Sequence, residues 1–210
     1  MNVWTIVVAA GSGSRFGGAK QFARLANATV LDRSVATAAR ATDGVVVVLA
    51  RGATWSSPLG VTVVSGGATR SDSVRAGLEV VPDHADVIVV HDAARPLATP
   101  HLYRAVVDAV LAGADAAIPA TTVSDTLKRV ERGVVTATVD RADLVAVQTP
   151  QAFRAPMLRR AHESSGDATD DAGLVEAIGG RVVIVDGEPR IFKITIAADL
   201  ELAAALLEGA

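Results

Sequence analysis

Apolar positions along the chain gather into short Val-rich runs, separated by segments whose apolar residues recur at helical spacing. The predicted strands are Val3–Ala9, Val45–Ala50, Val61–Val64, Val87–Val90, Ala116–Ile118, Val145–Gln148, Val182–Val185 and Ile191–Ile194. They are continuously apolar rather than alternating, which is how strands look when both faces of a sheet are covered. Leu31–Ala41, Asp72–Val81, Pro100–Ala112, Pro156–Ser164, Asp170–Ile178 and Ala198–Leu207 are the predicted helices. The third has a clear start, with Thr99 able to cap it and Pro100 suited to its first turn. Its residues Leu102, Val106, Val107, Val110 and Leu111 share one face. Strand–helix alternation of this kind predicts an α/β fold with a doubly wound, mostly parallel sheet. Residues 121–143 break the rhythm. They are rich in Thr, Val and charge, and Glu131-Arg132-Gly133 marks a turn between two β-prone runs. A hairpin with so few large apolar residues is marginal alone, so it is expected to lean on another subunit.

Composition narrows the picture. The 210 residues are half hydrophobic but only 3% aromatic, so a single domain, 1–210, must build its core from Val, Ala, Leu and Ile. A net charge of −3 offers no global field for nucleic acid or an anionic membrane, so any basic site is local. The absence of cysteine excludes disulfides, thiol nucleophiles and thiolate metal sites. The longest apolar run, 44–50, falls far short of the ~20 residues that span a bilayer. No basic stretch precedes an apolar one at the N-terminus, and a cytoplasmic protein is expected.

The candidate chemistry lies at predicted strand ends. After the first strand comes Gly11-Ser12-Gly13-Ser14-Arg15-Phe16-Gly17-Gly18-Ala19-Lys20. Its glycines let backbone N–H groups approach a ligand, and Arg15 and Lys20 add positive charge. A dinucleotide fingerprint would need glycine where Phe16 stands, and a P-loop would need Gly-Lys-Ser/Thr, which Ala19 and Gln21 break. The loop is either an anion cradle or a flexible turn with incidental charges. His91-Asp92-Ala93-Ala94-Arg95-Pro96 ends the fourth strand, where open α/β sheets bind ligands. Asp92 and Arg95 either face that crevice or pair with each other to fix the loop. Gly66-Gly67 and Ser73 flank a helix start, where a ligand edge or plain capping by Ser71 and Asp72 would each account for the pattern. Thr149-Pro150-Gln151, Thr169-Asp170-Asp171 and Lys193 complete the polar set; Lys193 either snorkels to solvent or serves an anion. No histidines are spaced as metal ligands, and there is no Ser-His-Asp set. Cations, hydroxyls and backbone N–H groups stabilise developing charge on phosphates, so phosphoryl or nucleotidyl transfer fits the inventory.

Taken in order, these motifs, with Asp125-Thr126-Leu127-Lys128, Val139-Asp140-Arg141 and Lys193-Ile194-Thr195, resemble the cytidylyltransferases of the non-mevalonate isoprenoid route. The resemblance covers nearly the whole chain. It implies a Rossmann-like nucleotidyltransferase fold that joins CTP to a sugar-alcohol phosphate with Mg²⁺, releasing pyrophosphate. It further implies that Arg15 and Lys20 stabilise the transition state and that Arg141 and Lys193 position the second substrate. Ala9, Ala10, Gly11, Gly13, Gly67, Ser73 and Ala93 would hold CTP. Asp92, Arg95, Thr126, Thr149 and Thr169 would surround the sugar-alcohol phosphate, with Mg²⁺ held mainly by the triphosphate. It also implies a homodimer with crossed hairpin arms. A relative using another alditol phosphate, such as ribitol 5-phosphate, or a non-catalytic nucleotide-binding module, would share much of this set. Retention of Arg15 and Lys20 argues against the module, since sensing does not require transition-state charge. One position departs from the family, which usually has proline where Ala19 stands, and this predicts a loop that is more mobile when empty.

Overall fold

The computed structural model of the chain describes residues 1–56, 59–163 and 168–209. In chain order the strands begin with β1 (Val3–Ala9), β2 (Arg24–Leu25), β3 (Ala28–Thr29), β4 (Gly44–Leu49), β5 (Thr62–Ser65) and β6 (Val87–Asp92). They continue with β7 (Ala116–Thr122), β8 (Leu127–Glu131), β9 (Val134–Val139), β10 (Val145–Val147), β11 (Gln151–Arg154) and β12 (Val182–Asp186). The helices are α1 (Val30–Ala41), α2 (Arg70–Leu78), α3 (Pro100–Leu111), α4 (Ala155–Glu163), α5 (Asp171–Ala177) and α6 (Ala197–Glu208). The expected helix end at Ser164 lies outside the described residues.

The strands β5, β4, β1 and β6 are parallel neighbours in that order, and β12 runs parallel to β7. Between β6 and β7 lies β11, antiparallel to both, which the sequence pattern did not reveal. Ala116 and Ala117 pair with β11 and β12 at once, and Ala120 with β10 and β12, so β10 and β11 share one flank of β7. They are two halves of one antiparallel strand, interrupted at Gln148–Pro150. All parallel strands therefore end at the same rim.

Alternate residues of each central strand face opposite layers, which is why the runs are apolar throughout. Val45, Val47 and Leu49 of β4 pack with Leu31 and Val35 of α1 and with Val106 of α3. Val46 and Val48 pack on the other side with Val74 of α2, Leu158 of α4 and Val175 of α5. Helix starts follow capping chemistry. Thr29 and Asp32 form a reciprocal box at α1, and the Thr99 hydroxyl accepts from Leu102 N–H at 3.2 Å with Pro100 in the first turn of α3.

The expected strand over Ile191–Ile194 does not form. Ile191 and Ile194 are fully buried, but their backbone hydrogen bonds are made outside the sheet. Ile191 O accepts from Arg95 (2.8 Å), Ile194 N–H donates to Ala94 O (2.9 Å), and Ile194 O accepts from Lys20 Nζ (2.6 Å). The predicted hairpin does form: β8 and β9 pair only with each other, turning at Arg132 (φ 49°) and Gly133 (φ 81°). Val130, Val134 and Val135 stand exposed on it. Among the described residues, no helix is long and apolar enough to cross a membrane.

Helix α2 rides close on the sheet at Gly77, where a Cβ would come within 2.7 Å of the fully buried Ile6. Gly77→Ala should lower the unfolding free energy although alanine gains about 1 kcal/mol over glycine in a helix. Overpacking at such a contact costs about 1–3 kcal/mol. Denaturant unfolding checks this, and a stabilised variant would show that the helix–sheet spacing is not set here.

Candidate active site

At the shared rim the turn after β1 closes on one carbonyl: the N–H groups of Phe16, Gly17 and Gly18 all donate to Gly13 O at 2.9–3.3 Å. Gly13 has φ +67°, and a Cβ there would overlap Gly18 O at 1.9 Å, so only glycine fits. Ala19, in the family's proline position, already has φ −71°, the value a proline ring imposes. The folded loop therefore keeps the geometry without that ring. Opposite this turn, Gly66 and Gly67 leave no room for side chains, since a Cβ on either would meet Ser73, Ala10 or Asp72 within 3 Å. The start of α2 beside them is capped by a reciprocal box, Thr69 Oγ1 accepting from Asp72 N–H (3.1 Å) and Asp72 accepting from Thr69 N–H (3.0 Å). Asp72 is thereby a capping residue.

Between these walls is a cavity of about 490 Å³. Eleven of the residues singled out from the sequence line it: Ala9, Ala10, Gly11, Gly13, Arg15, Lys20, Gly67, Ser73, Asp92, Ala93 and Lys193. Its charged lining is Arg15, Lys20, Arg70 and Lys193 against the single carboxylate of Asp92. Asp92 Oδ2 takes Lys193 Nζ at 2.6 Å, and Oδ1 takes Arg70 Nε at 3.4 Å. Burial pushes the Asp92 carboxyl up, but Arg70 first, then Lys193 and Arg95, hold it well below the usual carboxylate range. Burial above all, with Lys193 and Arg15 nearby, lowers the Lys20 ammonium from its ordinary value.

The other singled-out residues sit elsewhere. Arg95 does not pair with Asp92 in an ion bridge; its guanidinium donates to Ile191 O (2.8 Å) and Val147 O (3.3 Å) and so fastens the segment that carries Lys193. Thr149 is buried beneath the cavity, where its Oγ1 accepts from Asp92 N–H at 3.0 Å and lies 3.2 Å from His91 Nδ1. Thr169 is exposed just before α5. Thr126 and Arg141 are exposed at the base of the hairpin, outside the cavity lining, with Arg141 donating to Val123 O at 2.9 Å and to Ser124 O. Arg70, Gln21 and Thr195 line the cavity without having been given a role from sequence. For Arg70 the available signal was a cation in the first turn of a helix, the end that favours anions.

A mostly parallel α/β sheet with a glycine-rich turn after β1 and converging cations at the carboxyl rim defines a nucleotide-binding transferase, one that works by electrostatics and positioning. The chain belongs to the 2-C-methyl-D-erythritol 4-phosphate cytidylyltransferase family, whose pattern matches residues 3–209. It is 49% identical to the 2-C-methyl-D-erythritol 4-phosphate cytidylyltransferase of Rhodococcus jostii, over 98% of this chain and 95% of that protein. The protein of that name from Saccharopolyspora erythraea is 46% identical over 99% of this chain and 100% of its own. The crystal structure of the Thermus thermophilus cytidylyltransferase superimposes with a TM-score of 0.87 at 36% identity, covering 99% of this chain and 100% of that one.

His91, beneath Asp92, is fully buried, and that burial lowers its pKa from 6.5 to about 4. The unfolded chain takes up this proton near pH 6.5 and the native one only near 4, so acid favours unfolding across that window. Between pH 7 and 5 this residue alone should remove about 2 kcal/mol of stability. Ring NMR should show His91 neutral at pH 5; titration near 6.5 would contradict the account.

Proposed function

We propose that this chain transfers the cytidylyl group of CTP to 2-C-methyl-D-erythritol 4-phosphate. A phosphate oxygen of the alcohol forms a bond to the α-phosphorus of CTP, the bond from that phosphorus to the bridging oxygen breaks, and pyrophosphate leaves with the electron pair. The products are 4-diphosphocytidyl-2-C-methyl-D-erythritol and pyrophosphate. The observation that carries the reading is the cavity itself, lined by closely approaching backbone and by Arg15, Lys20 and Lys193. Ala9, Ala10, Gly11, Gly13, Gly67, Ser73 and Ala93 hold cytosine, ribose and phosphates through backbone and small side chains. Arg15 and Lys20 meet charge that grows at the α-phosphate. Lys193 holds the incoming phosphate. In the lining the single carboxylate, Asp92, is already engaged by two cations, so a Mg²⁺ ion would take its ligands from triphosphate oxygens and water, and its charge would favour departure of pyrophosphate. This reading places the enzyme in the cytoplasm, the compartment that holds nucleoside triphosphates.

Pyrophosphate release with CTP, Mg²⁺ and 2-C-methyl-D-erythritol 4-phosphate is the direct assay. Equal or better turnover with ribitol 5-phosphate would reassign the acceptor, and no turnover with either would leave a binding module. Arg15→Ala and Lys20→Ala should each lower kcat by about 10²–10³-fold, because their contacts strengthen only in the transition state. A change confined to the KM for CTP would contradict those roles.

The hairpin gives the reading a second part. Its exposed valines and the position of Thr126 and Arg141 outside the cavity lining support a homodimer in which each arm completes the partner's site. Lys20→Ala and Arg141→Ala homodimers should then be nearly inactive. Co-expressed with random pairing, about half the dimers are mixed and about a quarter of all sites carry neither lesion. Activity should recover to about that fraction of wild type. A doubly tagged mixed dimer that stays inactive would overturn the crossed arrangement.

A further inference from the structure

A row of ion-paired and hydrogen-bonded side chains runs from α4 through α5, α2 and β6 to Lys193, and the transfer chemistry gives no role to its members His162, Asp171 and Arg70. His162 Nε2 of α4 lies 3.0 Å from Asp171 Oδ1, and Asp171 Oδ2 lies 2.8 Å from Arg70 NH1, close but off the hydrogen-bond axis. Arg70 Nε then meets Asp92 Oδ1 at 3.4 Å, and Asp92 Oδ2 meets Lys193 Nζ at 2.6 Å. Each carboxylate gives one oxygen to either neighbour. Asp171 has no exposed surface, and the Arg70 side chain is only 21% exposed, whereas that of Lys193 is 41% exposed.

We infer that Arg70 is a positioning residue for the second substrate, acting through Asp92 on Lys193. The inference rests on the reading of Lys193 as the holder of the incoming phosphate. A half-exposed lysine on a flexible four-carbon stem has no fixed direction unless something holds its ammonium. Here that holder is Asp92, whose own carboxylate would swing or repel an arriving anion were its second oxygen not held by Arg70. The planar guanidinium reaches the two carboxylates on different elements from two different nitrogens, Nε and NH1, a fixed spread that the single nitrogen of an ammonium lacks. Arg70 occupies the first position of α2, where the helix dipole disfavours a cation. The two carboxylates offset that cost. Since Asp171 opens α5, the bridge also ties the loop bearing Thr169 to the opposite side of the cavity.

The charged and titratable groups facing Asp92 are Arg70 from α2, Lys193 from the 191–195 segment, Arg95 from the loop after β6 and Lys20 from the glycine-rich turn, with His91 beside it on β6. Of these, the Arg70 charge gives the largest single favourable contribution to keeping Asp92 ionised, with Lys193 adding both its charge and a hydrogen bond. Loss of Arg70 therefore loosens Lys193 and raises the Asp92 carboxyl together.

Steady-state kinetics with both substrates test this. Arg70→Met should raise the KM for the sugar-alcohol phosphate and lower its kcat/KM by about 10²-fold, the effect of a misplaced contact, while the KM for CTP stays within about twofold. Arg70→Lys should fold normally yet fail to restore that KM, and the acid limb of kcat/KM should move to higher pH in both. Arg70→Met/Asp171→Asn removes the buried carboxylate left alone, so a folding defect cannot mask the result. The deciding comparison is a cycle with Lys193→Ala. If Arg70 acts through Lys193, Arg70→Met adds little once Lys193 is gone. Multiplying effects, an Arg70→Lys variant with wild-type constants, or a change in the KM for CTP alone would each overturn the inference. Failure of the underlying reading is separate and visible: wild type would not turn over the sugar-alcohol phosphate, or Lys193→Ala would leave its KM unchanged.

Discussion

The rim of this sheet gathers cations that repel one another, and a buried carboxylate set among them offsets part of that repulsion. Arg15, Lys20, Arg70 and Lys193 face one cavity, and Asp92 is the acid among them. Before any anion arrives, Asp92 carries the opposing charge, and both its oxygens are engaged. A buried ion with its partner removed is costly, whereas one held on two sides is tolerated and fixed in direction. Asp92 can sit there because it ends a fully buried strand and because its own N–H is anchored to Thr149. The arrangement is therefore stable when empty and ready to exchange protein acceptors for phosphate oxygens.

The rest of the site follows from how closely backbone can approach backbone. Gly13, Gly66 and Gly67 remove the side chains that would fill the cradle, and the central strands offer Ala and Val rather than large residues. The opposite wall is a segment without secondary structure, made rigid by side chains. Gln148 exchanges two hydrogen bonds with the backbone of Glu188, at 2.9 and 3.1 Å, and Arg95 takes Ile191 O. Lys20 spans the cavity mouth to Ile194 O at 2.6 Å. That bond uses one of the three N–H groups of the ammonium and leaves the others free to face the cavity.

Much of this was legible in the sequence. Apolar runs located the central parallel strands, and the turn after β1, the end of β6 and the start of α2 were placed on one rim because the connections of such sheets leave little choice. Four things were not legible, each for a physical reason. Strand β11 is four residues, Gln151–Arg154, two of them polar, and carries no β-rich signature. The run Ile191–Ile194 looked like a strand because it is buried, but burial and ladder pairing are different properties. Arg95 reads as a binding residue by its place at a strand end, yet its guanidinium goes to backbone carbonyls, partners that no residue pattern encodes. Arg70 was visible only as a cation at the wrong end of a helix, since its partners Asp92 and Asp171 are brought to it by the fold.

The most direct measurement of the account is a crystal structure of the protein with Mg²⁺ and a CTP analogue that cannot be cleaved at the α-phosphate. The account predicts the cytosine against the Gly66–Gly67 wall and the triphosphate along the turn after β1. Lys20 Nζ should contact an α-phosphate oxygen, and Lys193 should remain on Asp92 for the second substrate. A nucleotide bound away from this rim, or a Lys20 Nζ that makes no contact with the triphosphate, would contradict it.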